Sequence, residues 1–293
     1  MNNMERKISI IGGDLRIVKL VQMLAEEGKV VKCFALEKAE VLGKYENVKM
    51  CNTIKEAIEK TDIIVGPIPL SSNSEEINTQ FSSEKILVKT LFENIENQIF
   101  VAGRFTKEII ELAEQNKVKY IDLLEREELA VLNAISTAEG TIQIAMEETA
   151  RTIHGSKVLV MGFGRIGKII SKMLDGIGAS VYCEARKNAD LAWIKAYGYN
   201  KVHLNELNEN LSKFDIIINT IPKMILTEER LKLINSQCLL IDIASTPGGI
   251  DRDKAKSLGL KTIWALSLPG KVAPHTSAEF IKETLYNIIG EMN

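Results

Sequence analysis

The stretch VLVMGFGRIGKIISKMLDGIGASVYCEARKN (residues 158–188) decides how the whole chain is read. An apolar run enters Gly162-Phe163-Gly164-Arg165-Ile166-Gly167, an amphipathic segment follows, and a second apolar run ends at Ala185. Strand, G-x-G-x-x-G, helix and strand in that order make the fingerprint of a dinucleotide-binding βαβ unit, a far more specific signal than the six-residue pattern alone. Each glycine has its own task. Gly162 permits the tight turn, Gly164 lets backbone approach a pyrophosphate, and Gly167 lets helix and strand pack closely. The N-terminus of the helix adds free amides and partial positive charge for the phosphates.

The end of the second strand speaks to the cofactor. A chain that selects NAD places a carboxylate there to accept hydrogen bonds from the ribose 2′-OH. Here that slot falls on Ala185, followed by Arg186 and Lys187. The alanine removes repulsion toward a 2′-phosphate, the arginine offers a planar fork, and the lysine adds a point charge. NADP(H) is therefore the expected cofactor. A register one residue different would hand the ribose role to Glu184 instead. Farther on, IIINTIP (216–222) ends another strand, and its Thr220, Ile221 and Pro222 are expected beside the cofactor's ribose and phosphates.

Outward from this unit, apolar runs and helical periods alternate along the chain, the pattern of parallel sheets covered on both faces. Strands are expected near 7–11, 30–35, 62–66, 98–102 and 118–122, and again near 157–161, 179–184, 200–203, 214–219, 238–243 and 260–265. Helices are clearest at 14–27 and 105–116, and the proline-free segment 126–152 reads as one long helix with a kink near Gly140. The fold class expected is α/β: two Rossmann-like doubly wound parallel-sheet domains joined by a long helix, with a C-terminal helix returning to the first domain. The boundaries follow as 1–128 for a substrate-side domain, 129–152 for the connecting helix, 153–274 for the NADP-binding domain and 275–293 for the C-terminal helix.

Composition narrows the function classes. Among 293 residues, 45% are hydrophobic and 26% charged, with a net charge of −2, so no basic excess exists for nucleic acid to bind. The longest apolar runs are strand-sized, too short to cross a membrane. The start, MNNMERKISIIGGD, lacks the apolar core of a secretory leader, so a cytoplasmic protein is expected. Cys33, Cys51, Cys183 and Cys238 are widely spread without a CxxC pair, which reads as reduced, largely buried thiols. No HExxH or other spaced ligand set appears, and no metal is expected.

Candidates for the substrate side lie at other strand ends, where ligands of open α/β sheets bind. In DIASTPGGIDRDKA (242–255), Ser245, Pro247, Gly248 and Gly249 offer a hydroxyl and backbone amides suited to a carboxylate or oxyanion; the plainer reading is a turn with Asp251 as N-cap. In the first half, Gly13, Asp14 and Arg16, the loop GPIPLSS (66–72) and Arg104 are expected to line a cleft, with the two arginines as grips for a second carboxylate. On the long helix, Thr137 and Glu139 stand within STAEGT (136–141). Glu139 is the candidate base, and Ser245 the other catalytic candidate. His275, in APHTSA, echoes the histidine loop of D-2-hydroxyacid dehydrogenases. Those enzymes also need an arginine in the loop corresponding to 244–249, which here reads Ala-Ser-Thr-Pro-Gly-Gly. His154 and His203 read as structural and surface residues.

Taken in order, IIGGD (10–14), TAEGTI (137–142), TIHGSKV (152–158), GFGRIG (162–167), ARK (185–187), INTIP (218–222), DIASTPGG (242–249) and LPGKVAP (268–274) resemble the A-subunit family of the dipicolinate synthases of spore-forming bacteria. The resemblance spans essentially the whole chain and is weakest over 40–95. It implies a two-domain Rossmann-type protein using NADP, acting in the mother-cell cytoplasm late in sporulation and forming an oligomer. It also implies a partner, the smaller, flavoprotein-like B-subunit of dipicolinate synthase. Together they would convert the cyclic imine dicarboxylate made by dihydrodipicolinate synthase into dipicolinate, through loss of water and hydride transfer to the nicotinamide. Two other readings stay open: a D-2-hydroxyacid-type dehydrogenase, and a non-catalytic nucleotide-binding component.

Overall fold

The computed structural model describes residues 6–292. They form two compact units: residues up to 132 together with those from 273 onward, and residues 133–272. The first unit runs β1 (Ile8–Ile11), α1 (Leu15–Glu26), β2 (Val31–Phe34), β3 (Val48–Met50), α2 (Ile54–Ile58), β4 (Ile63–Val65), α3 (Val88–Asn94), β5 (Ile99–Ala102), α4 (Lys107–Gln115) and β6 (Lys119–Asp122). α5 (Glu127–Glu148) begins in the first unit and ends in the second. The second unit continues with β7 (Lys157–Met161), α6 (Arg165–Gly176), β8 (Ser180–Ala185), α7 (Asn188–Ala196), β9 (Asn200–His203), α8 (Leu207–Asn210), β10 (Ile216–Asn219), α9 (Glu228–Leu231), β11 (Leu239–Asp242), α10 (Arg252–Ser257), β12 (Thr262–Trp264) and α11 (Leu268–Val272). α12 (Pro274–Glu291) belongs to the first unit again.

The two sheets have the orders β3-β2-β1-β4-β5-β6 and β12-β11-β10-β7-β8-β9. All neighbours are parallel in both. Numbered within its own unit, each sheet reads 3-2-1-4-5-6, the doubly wound order of a dinucleotide fold. This is the fold class expected. Its strands are continuous apolar runs because helices cover both faces. Ile8–Ile11, Ile216–Asn219 and Leu239–Asp242 are buried at every residue. Each sheet therefore separates two cores, one on either face.

α12 closes one core of the first unit. Ala278, Ile281, Leu285 and Ile288 recur at helical spacing and enter the cluster that holds Leu20 and Leu24 of α1. Burying each larger aliphatic of that stripe is worth about 1.5–3 kcal/mol.

Two elements differ from expectation. β3 was not read from the sequence: it is three residues long, half-exposed at a sheet edge and paired only with β2, so it carries no period. α5 stops at Glu148 and continues unbroken through Gly140. An added Cβ at Gly140 would lie 3.1 Å from both Val272 methyl groups, so the glycine serves packing against α11.

Cys33, Cys183 and Cys238 are buried, and Cys51 is partly exposed. Burial pushes the thiols of Cys183 and Cys238 up to about 12, and raises those of Cys33 and Cys51 as well. A thiol reagent at mildly alkaline pH should therefore label Cys51 alone in the folded protein and all four cysteines in denaturant. Rapid labelling of a second thiol in the folded chain would contradict this packing.

Candidate dinucleotide-binding site

At the carboxyl ends of β7, β8 and β10, the second unit carries a cleft of about 320 Å³, within the size range of small-ligand sites. Gly162 and Phe163 form one side, Glu184, Ala185, Arg186 and Lys187 another, and Leu204, Ile221 and Ile225 a third. The register follows from β7 pairing with both β8 and β10, which sets Met161 beside Glu184 and Asn219.

The three glycines divide their roles geometrically. Gly162 has φ +90°, a conformation glycine adopts without penalty. A Cβ there would come 2.5 Å from Thr220 Oγ1. At Gly167 it would lie 2.1 Å from the Gly162 carbonyl oxygen, so the helix can sit against the turn only without a side chain. At Gly164, the N-cap of α6, a Cβ would meet nothing within 4 Å. That open face beside the helix N-terminus is where a pyrophosphate fits.

The rim is cationic. Arg186 and Lys187 are exposed directly after β8, and their side chains make no hydrogen bond or ion pair within the described residues. Lys223 is exposed and lines the same cleft. Ala185, the last residue of β8, is buried. Phe163 is buried under Tyr197 and Tyr199, its ring centroid 6.1 and 6.5 Å from theirs, and Lys168 sits 5.8 Å from the Phe163 ring.

Glu184 stands at the floor, 1% exposed, and its Oε2 lacks a hydrogen-bond partner. Its own carbonyl accepts the Gly162 amide at 3.1 Å. Burial raises its carboxyl pKa; the Gly162 amide, then Arg230, His203 and Arg186, pull it back only partly. A carboxyl whose folded pKa is raised costs stability increasingly as pH climbs through and above the unfolded-state value. Glu184→Gln should therefore raise the thermal midpoint of the free protein at neutral pH, with the gain shrinking as pH falls toward the ordinary glutamate range. An equal gain at both pH values would sink that account.

The loop after β10 is held by Thr220 and Ile221, which the sequence singled out, and by Asn219 and Asp242, which it did not. Thr220 donates from its backbone N and Oγ1 to Met161 O, at 3.0 and 2.9 Å. Asn219, fully buried, donates to Ile221 O at 3.0 Å and to Asp242 Oδ1 at 2.8 Å, and accepts from Ile221 N at 3.2 Å. Pro222 is exposed at the crest. Asp242 then accepts from Ala244 N at 3.1 Å, Gly249 N at 2.8 Å and Ile250 N at 3.2 Å. The available signal was that IIIN and LLID are all-apolar runs ending in a polar residue, on adjacent strands with Asn219 and Asp242 in register.

This network corrects the expectation for DIASTPGG. The Gly249 amide is taken by Asp242 and the Gly248 amide by Ser245 O at 2.8 Å, so neither N–H is offered to a ligand. The loop also contains the cis bond Thr246-Pro247. Trp264 Nε1 donates to Ala244 O at 3.1 Å, and the Arg252 guanidinium lies 3.6 Å from the Trp264 ring centroid. Ser245 and Pro247 stay exposed on the crest, and Asp251 caps α10 as the plainer reading held.

In the first unit, the crevice between β1 and β4 is filled by its own chain. Gly12 N donates to Phe34 O at 2.9 Å and Gly13 N to Asn78 O at 2.8 Å, so the Gly13 amide, expected to line a cleft, is already taken. Asp14 caps α1 and holds Arg16 at 2.6 Å, while Arg16 Nη2 also donates to the Ile68 carbonyl. Arg16 is thus buried and committed, which removes it as a free grip for a carboxylate. Arg104, with φ +64° and its amide on Asp122 at 2.9 Å, keeps an exposed and unpaired side chain. On α5, Thr137 Oγ1 donates to Asn133 O at 2.8 Å and Glu139 is exposed. His275 is exposed on α12, 3.7 Å from Glu279. Among the described residues, no group of three or more His, Cys, Asp and Glu is arranged to hold a metal ion, and no helix is long and apolar enough to cross a membrane.

Comparison with known proteins gives this geometry its context. Residues 7–124 match the N-terminal domain of the dipicolinate synthase A-subunit, and residues 107–249 match the NAD-binding domain of D-isomer-specific 2-hydroxyacid dehydrogenases. The dipicolinate synthase A-subunit of Bacillus subtilis (strain 168) is 33% identical over 98% of this chain and 96% of its own. The chain belongs to the dipicolinate synthase A-subunit family. The crystal structure of the Bacillus subtilis protein superposes with a TM-score of 0.89, covering 98% of this chain and 96% of that one. The A-subunit from Bacillus halodurans, 28% identical, gives 0.88 over 97% of each chain. A transhydrogenase from Sinorhizobium meliloti, 16% identical, covers 98% of this chain and 94% of its own at 0.72 and shares the fold. Within this dipicolinate synthase family, then, the second unit is the dehydrogenase-type nucleotide-binding half, and the glycine turn of β7–α6 lies within the matched segment.

Proposed function

We propose that this chain binds NADP(H) and oxidises the cyclic imine dicarboxylate made by dihydrodipicolinate synthase to dipicolinate during sporulation, together with a flavoprotein-like B-subunit. One observation carries the cofactor choice: at the end of β8 a buried alanine stands where NAD-selecting chains place an acid, and two exposed, unpaired cations follow it. The open face of Gly164 and the α6 N-terminus suit the pyrophosphate, and the rim cations suit a 2′-phosphate.

The overall change is loss of water, then removal of a hydride and a proton to leave an aromatic ring. The nicotinamide, when bound, accepts the hydride. The chain's own part is positioning, where holding reactants in place is worth up to roughly 7–11 kcal/mol, and accepting the proton. Exposed Ser245, and Glu139 on α5, are the groups we assign to proton handling, and Arg104 to a substrate carboxylate. The missing arginine in the 244–249 loop argues against a D-2-hydroxyacid substrate. We place the reaction in the mother-cell cytoplasm, with the chain acting as an oligomer.

Arg186→Ala should weaken NADPH binding roughly ten- to hundredfold, as expected for loss of a charge-assisted phosphate contact, and leave NADH nearly unchanged. Equal losses for the two would show that Arg186 does not read the phosphate. For the reaction, the cyclic imine dicarboxylate supplied with NADP and the B-subunit should yield a ring product absorbing in the near ultraviolet, and its absence would refute the assignment.

A further inference from the structure

The floor of the cleft holds a group that phosphate recognition leaves unused. Glu184 is buried, and its Oε2 has no donor, which is rare for a buried polar atom in a native fold and calls for a partner. Its surroundings indicate which part of a dinucleotide supplies one. Successive strand residues face opposite sides of a sheet. Cys183 and Ala185 pack in the core that includes Ile170 of α6, the helix whose N-terminus suits the phosphates. Glu184 points the other way, with Tyr182, toward the face where Leu159, Met161 and Ile221 pack. The cleft's aliphatic lining is Leu204, Ile221 and Ile225, with exposed Arg186, Lys187 and Lys223 and half-buried Asp190 beside them, and Arg230, His203 and Arg186 act on the Glu184 carboxyl through their charge. The aliphatic walls form a slot suited to a flat base.

We infer that Glu184 reads the base: its Oε2 accepts a hydrogen bond from the exocyclic amino group of adenine, selecting adenine over a base that carries a carbonyl there. Oxygen against carbonyl would set two acceptors face to face. The inference rests on the NADP(H) reading and adds a second determinant to it, separate from Arg186.

Binding of NADPH and of its hypoxanthine analogue to the purified full chain tests it. The wild type should prefer adenine by roughly ten- to hundredfold, the effect of a charge-assisted hydrogen bond. Glu184→Leu should bind the two alike, and Glu184→Gln, whose amide can turn either its oxygen or its NH2 toward the base, should lose most of the preference as well. If Glu184→Leu does not fold, Glu184→Ala makes the same comparison. Equal binding of both bases by the wild type overturns the inference, as does a preference that survives the apolar variants. So does an apolar variant that alters the NADPH-to-NADH ratio instead, which would make Glu184 a ribose reader. A wild type that binds none of these dinucleotides overturns the NADP(H) reading itself, an outcome distinct from the others.

Discussion

Asp242→Ala is expected to destabilise the second unit by on the order of 3–5 kcal/mol, because it strands several buried donors at once. The four donors are Asn219 Nδ2 and the amides of Ala244, Gly249 and Ile250, all within 3.2 Å of the carboxylate. None has water to turn to, since Asp242 and Asn219 are fully buried and Gly249 is buried as well. Space offers no relief: a Cβ on Gly249 would already lie 2.4 Å from Asn219 Nδ2. Asp242→Asn keeps one acceptor but turns a donor toward either Asn219 or the amides, so its loss should be smaller yet clear. Thermal unfolding of the purified chain should show a fall of about 10 °C for the alanine variant, given the usual conversion for units of this size. A midpoint within a degree or two of the wild type would mean the network is not what holds these loops.

Gly167→Ala is expected to abolish dinucleotide binding, a loss of at least about a hundredfold, and to lower stability as well, because overpacking against backbone has no soft partner to yield. The added Cβ would be 2.1 Å from the Gly162 carbonyl oxygen, so either the turn or α6 must move. Two controls separate the consequences. Gly164→Ala meets no atom within 4 Å, so the fold should be kept and only ligand approach impaired. Gly176→Ala, at the other end of α6, also meets nothing and should be neutral or stabilising by about 0.5–1 kcal/mol. Calorimetric titration with NADPH and thermal melts of the three variants give the comparison. Normal binding by Gly167→Ala would show that the close approach of helix and turn is not required.

What could be read in advance divides along physical lines. Fully buried parallel strands announce themselves as unbroken apolar runs, and the glycine turn has a fixed order and spacing, so β7, α6 and β8 were legible along with the fold class. β3 was not, because three half-exposed residues at an edge bury too little to leave a pattern. Loops were the weaker part. The composition of Asp14, Arg16 and the Gly248-Gly249 pair suggested ligand contacts, yet the chain satisfies those groups itself, through Asp14–Arg16, Ser245 O and Asp242. Composition states which groups are available, whereas only three-dimensional proximity states which are already taken. Asn219 and Asp242 show the converse, since both stand inside quoted motifs yet their joint role comes from adjacent strands aligned in register.

The helix α12 has a bearing on how the chain comes into being. It supplies Ala278, Ile281, Leu285 and Ile288 to a core otherwise built from the first 132 residues, while the segment between is self-contained. On the ribosome, the unit encoded in the middle has all its residues before the one that starts first. Until α12 emerges, the stripe on α1 that includes Leu20 and Leu24 waits uncovered, so a stretch translated after the middle unit seals a core begun before it.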